Sequence, residues 1–133
     1  MDATKMSAHI IVVDDDPDSA FVIVEMLRRL GYKANSLTPG PRLLKELAEL
    51  GRGGEVDLII TDLFMPEPDG FEIIRFARLA LAGVPVIGMS GRHRGLLGSM
   101  LAFGATHAIE KPVHPRELKT VVEEALKLAI DYI

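Results

Sequence analysis

Short wholly apolar runs alternate along this chain with longer stretches in which apolar residues recur every three or four positions. Ile10-Ile11-Val12-Val13 is β-branched and too short for a helix, which predicts a buried strand. Asp16-Pro17 then reads as a helix start, with a side-chain acceptor at the cap and a proline where no donor is needed. Ala20, Ile23, Val24 and Leu27 follow at helical spacing, and Gly31 is the expected stop. Residues 32–37 form a weaker strand, and residues 41–50 a helix closed by the glycine-rich stretch 51–54. Strands are expected over 56–61, 84–89 and 106–109. Helices are expected over 70–81, capped by Asp69, over 92–103 and over 115–130. The 92–103 helix is a poor one, because Gly95 and Gly98 each cost roughly 1 kcal/mol against alanine. The 115–130 helix carries the most continuous stripe: Leu118, Val121, Val122, Ala125, Leu126 and Ala129.

The pattern is β-α repeated five times. Strands joined by crossover helices run parallel, with helices on both sheet faces, so an α/β doubly wound sheet is predicted. In such sheets ligands bind at the carboxyl ends of strands, where strand order reverses.

At 133 residues the chain has the size of one domain. With no cysteine, disulfides, zinc–thiolate sites, iron–sulfur clusters and a cysteine nucleophile are excluded. Fifteen Lys+Arg against nineteen Asp+Glu give a net charge of −4, which disfavours direct binding of nucleic acid. Residues 1–8 are polar and the first apolar run stops at three aspartates, unlike a signal peptide. No uncharged apolar stretch approaches membrane-spanning length, since even 79–90 is interrupted by Gly83 and Pro85. A cytoplasmic domain without membrane contact is expected.

The polar residues expected at the strand ends carry the chemistry. Asp14, Asp15 and Asp16 follow the first strand, Asp62 the third, Ser90 the fourth and Lys111 the fifth. Two like charges about 4 Å apart repel by about 4 kcal/mol at an effective dielectric of 20, and one lysine cannot neutralise three carboxylates. A site of oxygen ligands alone suits a hard cation such as Mg²⁺, held by Asp15, Asp62 and a nearby carbonyl. A carboxylate beside Mg²⁺, an ammonium and a hydroxyl can attack phosphorus, because phosphoryl transfer is mostly positioning and neutralisation of oxygen charge. Asp16 reads as a helix cap only. His9, His93, His107 and His114 lack metal-ligand spacing, and Arg92-His93-Arg94 reads as a basic loop beside Ser90.

From about Ser7 to Tyr132 the chain resembles the receiver domain of two-component response regulators, of the chemotaxis-regulator kind. The resemblance rests on Ile-Val-Val-Asp-Asp-Asp-Pro (11–17), Asp-Leu-Phe-Met-Pro-Glu-Pro-Asp-Gly (62–70) and Pro-Val-Ile-Gly-Met-Ser-Gly (85–91). Gly-Ala (104–105) followed by Lys111-Pro112 completes it. It implies a flavodoxin-like strand order 2-1-3-4-5 with five helices, a receiver domain over 8–133 and an N-terminal extension over 1–7. It also implies Asp62 as phosphoacceptor, and Asp14 and Asp15 as the acid pair, Asp15 binding Mg²⁺ directly and Asp14 through water. The backbone carbonyl of Phe64 is implied as a further ligand, Ser90 as the switch hydroxyl, and Lys111, in a typically cis Lys-Pro bond, as the phosphate-binding cation. The implied donor is a histidine kinase or a histidine phosphotransfer protein, the recipient of the signal an unidentified downstream protein, and the role a phosphorylated signalling domain with at most self-phosphorylation and self-dephosphorylation.

The chain departs from that family at Ala108, where an aromatic usually stands three residues before the lysine, and at Val113 after Lys-Pro. Phe64, two past Asp62, and Arg92, two past Ser90, are placed to modulate access of water to an acyl phosphate. The 133 residues leave no room for an output domain after the last expected helix, so either a stand-alone regulator or a domain cut from a longer chain is expected. Two other readings stay open: an aspartyl-phosphate phosphohydrolase using Asp14-x-Asp16, which sustained phosphomonoester hydrolysis would reveal, and an unphosphorylated scaffold, indifferent to acetyl phosphate.

Overall fold

The computed structural model describes residues 8–91 and 95–131, with side chains for 8–91 and 98–128. The extension over 1–7 and the Arg92-His93-Arg94 cluster lie outside the described residues.

Ten elements alternate: β1 (His9–Val13), α1 (Pro17–Arg29), β2 (Lys33–Leu37), α2 (Leu43–Arg52), β3 (Leu58–Asp62), α3 (Gly70–Ala80), β4 (Val86–Ser90), α4 (Gly95–Phe103), β5 (His107–Glu110) and α5 (Pro115–Asp131). The strands form one parallel sheet in the order β2-β1-β3-β4-β5. From β1 the chain steps outward to β2, then crosses back to β3 on β1's other side. The reversal between β1 and β3 opens a crevice at their carboxyl ends.

Alternation along the strands divides the core in two. Ile10, Val12, Ile60, Ile87 and Ile109 face α1 and α5, meeting Ile23, Leu27, Leu118 and Val122. Ile11, Val13, Ile59 and Val86 face α2, α3 and α4, meeting Leu47, Ile73, Ala77 and Met100. Each fully buried aliphatic side chain contributes roughly 1.5–3 kcal/mol, which is why the β-branched runs occupy the central strands. No helix among the described residues is long and apolar enough to cross a membrane.

Helix ends follow the local chemistry. The Asp16 carboxylate accepts from the Asp18 amide, with Pro17 behind it. Gly31, at φ 100°, ends α1: its N–H donates to Arg28 O and that of Tyr32 to Leu27 O. Asp69 caps α3 by accepting from the Glu72 amide at 2.9 Å.

Several boundaries shift by one or two residues from the sequence pattern, and three of the shifts have a visible cause. Residues 56–57 precede β3, where Asp57 donates its N–H to His9 O and accepts the His9 N–H on Oδ2 at 2.8 Å. Val84 belongs to a turn, its N–H bonded to Leu81 O, so β4 begins at Val86. Gly51 lies inside α2 instead of closing it, because a Cβ there would overlap Leu81 Cδ2 and the glycine lets the two segments touch.

Candidate functional site

Asp14 follows β1 directly and is buried, at 4% exposure. Its Oδ1 accepts the Asp16 N–H at 2.9 Å and its Oδ2 accepts from Lys111 Nζ at 2.8 Å. Asp15 is exposed beside it. Asp62 is the last residue of β3, with Oδ1 3.5 Å from the same lysine nitrogen. One carboxylate oxygen from each of Asp14, Asp15 and Asp62 lies within 4.8 Å of the others. Lys111 follows β5, and its peptide bond to Pro112 is cis.

Ser90 ends β4 and is 2% exposed; its Oγ has no protein hydrogen-bond partner. A buried hydroxyl without a partner is costly, and here it lies at the same edge as the acids. Phe64 sits two residues past β3, half exposed, in the turn toward α3. Asp16 turns away from the cluster, its carboxylate taken by Asp18 N–H and by Ser19 Oγ at 3.2 Å, as a capping role requires. An Asp14-x-Asp16 catalytic pair is therefore not assembled.

The electrostatics follow from burial and crowding. Burial pushes the Asp62 carboxyl above its ordinary range and the Asp14 charge adds to this, against opposition from Lys111 and the Leu63 amide. For Lys111, burial pulls downward, yet the hydrogen bond to Asp14 and the charges of Asp62 and Asp14 outweigh it, and its pKa stands above the ordinary lysine value. The ammonium stays charged. Three carboxylates against one lysine, all donors being oxygen, fit a hard divalent cation.

Two contributors escaped the sequence reading. A Cβ at Gly70 would collide with Asp62 O and stand 2.7 Å from Leu63 Cα, while the Gly70 N–H donates to Leu63 O at 3.0 Å. The glycine thus does more than start a helix: it lets α3 touch the backbone that carries Asp62. Thr61, fully buried, donates its hydroxyl to Asp62 O at 2.9 Å. The Asp-Gly pair at 69–70 was a visible signal for the first; nothing in the sequence marked the second.

Grooves flank α1 and open at this edge. One, of ≈ 410 Å³, is lined by Asp14, Asp15, Phe21 and Arg28 among others. The other, of ≈ 540 Å³, is lined by Val22, Gly91, Lys111 and Pro112 among others.

Comparison with known proteins agrees with this architecture. The family model described as response regulator receiver domain matches residues 10–123. The two-component response regulator ORR21 of Oryza sativa subsp. indica is 34% identical over 119 residues, 89% of this chain and 17% of that protein. The response regulator SaeR of Staphylococcus aureus (strain USA300) is 26% identical over 113 residues, 83% of this chain and 46% of that protein. The chain thus spans less than half the length of these curated relatives. Among solved structures, a response regulator receiver domain protein from Clostridium thermocellum superposes with a TM-score of 0.83 at 26% identity, covering 95% of this chain and 99% of that one.

Proposed function

The chain belongs to the response regulator receiver family, and on that premise we propose that Asp62 accepts a phosphoryl group from a partner's phosphohistidine, with Mg²⁺ in the acidic pocket. The observation that carries the reading is the meeting of Asp14, Asp15 and Asp62 within 4.8 Å of one another, with Lys111 paired to Asp14 and Asp62. Asp14, Asp15, Asp62 and the Phe64 carbonyl are the residues that would hold the ion. When bound, Mg²⁺ supplies neutralisation of oxygen charge around the phosphorus.

The chain's own groups do the rest. A carboxylate oxygen of Asp62 forms a bond to phosphorus. The phosphorus–nitrogen bond of the donor breaks, and its electron pair stays on the imidazole, which takes a proton. Lys111 Nζ holds one phosphoryl oxygen and the Ser90 hydroxyl donates to another, ending its unpartnered state. Drawing Ser90 and Lys111 inward shifts the loops after β3 and β4, and with them α4, toward a form that binds a downstream protein. The donor is a histidine kinase or histidine phosphotransfer protein seated over α1 and its grooves. Residues 8–133 act as the receiver unit.

Intact-mass spectrometry after incubation with a purified phosphohistidine donor and Mg²⁺ tests this. The unaltered chain gains one phosphoryl group, hydroxylamine-labile as an acyl phosphate is, and Asp62→Asn gains none. Full labelling of the asparagine variant would transfer the acceptor role elsewhere.

A further inference from the structure

Over residues 98–103, the described side chains of α4 meet the sheet differently from those of its neighbours. α3 buries Ile73, Ile74 and Ala77, and α5 buries Leu118, Val122, Ala125 and Leu126. Among the described side chains of α4, Met100 alone is buried, at 0% exposure, whereas Leu101 and Phe103 are about half exposed. Beneath Met100 the sheet has a gap written into the sequence. Gly88 of β4 has no side chain; a Cβ there would overlap Met100 Sδ and lie 3.3 Å from its Cγ. Gly88 pairs with Ala108 of β5, whose single methyl packs into the same core as Met100. Two small residues side by side thus make a socket for a thioether. Gly88 also lies two residues before Ser90 on one strand, so the socket and the buried, unpartnered hydroxyl belong to the same sheet face.

We propose that Met100, seated in the Gly88–Ala108 socket, is a positioning residue that couples the placement of Ser90 to the orientation of α4. The proposal rests on the reading of Asp62 as phosphoacceptor. When Ser90 is drawn toward a phosphoryl oxygen, β4 carries Gly88 with it. A close-packed interior does not stretch, so the methionine follows its socket or leaves it, and α4 turns either way. An unbranched thioether suits the task because it can change rotamer without breaking the core. The Phe71–Phe103 ring contact, with centroids 4.8 Å apart, keeps the far end of α4 on α3 as a pivot.

Hydrogen exchange on the full chain, with and without beryllium fluoride and Mg²⁺, tests it. In the unaltered chain the beryllofluoride complex changes exchange at amides 98–103 by about tenfold. Met100→Ala and Gly88→Ala each speed exchange there without ligand and cut the ligand-dependent change to below about twofold, leaving α5 amides at their own rates. The double variant Gly88→Ala/Met100→Ala refills part of the socket from the strand. It recovers melting temperature lost in Met100→Ala but not the ligand response, a split that a merely structural role would not give. Met100→Leu restores most of both. A full response at 98–103 in either single alanine variant, or a response regained by the double variant, overturns the proposal. In the unaltered chain, change at amides 60–64 without change at 98–103 overturns the coupling alone. No change at either place removes the Asp62 reading, and the coupling with it.

Discussion

At the amino-terminal edge of the sheet His9 is engaged on both ring nitrogens, whereas at the carboxyl-terminal edge Ser90 Oγ is engaged by no protein group. The His9 Nδ1 lies 2.6 Å from Glu55 O, and since a carbonyl only accepts, that nitrogen carries the hydrogen. Nε2 then accepts from Asn35 Nδ2 at 2.7 Å, and Arg28 spans Ala34 O at 2.8 Å and Asn35 Oδ1 at 3.4 Å. Polar side chains there complete the sheet's hydrogen bonding and tie β1, β2 and the approach to β3 together. At the opposite edge three carboxylates cluster, two of them, Asp14 and Asp62, on Lys111, and Ser90 Oγ is buried without a partner. His107 Nδ1, at the start of β5, is also buried without a partner, so the contrast holds between His9 and Ser90 and not between whole edges; what sets the carboxyl edge apart is that its unpartnered hydroxyl shares that edge with the clustered acids.

Substitutions can break or sharpen that contrast. The largest effect is expected from Lys111→Met, which removes the cation shared by Asp14 and Asp62 and slows phosphoryl transfer by about 10²–10³-fold in a labelling time course. An unchanged rate would remove the lysine from the chemistry. Next is pH. With the Asp62 pKa raised by burial, Mg²⁺ competes with a proton, so affinity in calorimetric titration climbs by up to about tenfold per pH unit and levels off once the carboxyl is ionised. Stability without metal runs the other way. A raised acid contributes stability that is fully present below its unfolded value of 3.8 and is lost as pH rises through the folded one. Affinity flat with pH across that window would contradict the raised pKa.

The two smallest effects have opposite signs. Asn35→Ala strips the amino-terminal edge of a satisfied bond and lowers the melting temperature by about 2–4 °C, with labelling of Asp62 unchanged. Asp15→Asn takes a repelling charge from the other edge. It raises the metal-free melting temperature by about 1–2 °C while weakening Mg²⁺ binding. A melting temperature lowered by Asp15→Asn would remove crowding of charge as the reason for the cation.

Much of this was legible in the sequence because it depends on period and composition. The β-branched runs, the capping aspartates at 16 and 69, the stop at Gly31 and the five-fold β-α alternation each act through neighbours within a few residues. The meeting of Asp14, Asp15, Asp62 and Lys111 was legible because strand ends place them together whatever the loops do. What stayed hidden depends on side-chain direction and close approach, which no periodicity encodes. Thr61 Oγ on Asp62 O, Gly70 against Leu63 and Met100 over Gly88 are contacts that no spacing announces. The absent aromatic at Ala108 was visible as a departure, whereas the methionine packed over the neighbouring Gly88 appears only once β4 and α4 are placed against each other in space.

The charge balance of the acidic edge also governs how the molecule meets its surroundings. Among the described residues, three clustered carboxylates and one ammonium leave a local negative excess, and its field reaches outward by a Debye length, about 8 Å at physiological ionic strength. With no cation bound, any anionic partner would be repelled more strongly in dilute buffer than in concentrated salt. The cost of that approach thus falls as ionic strength rises, before any bond is made.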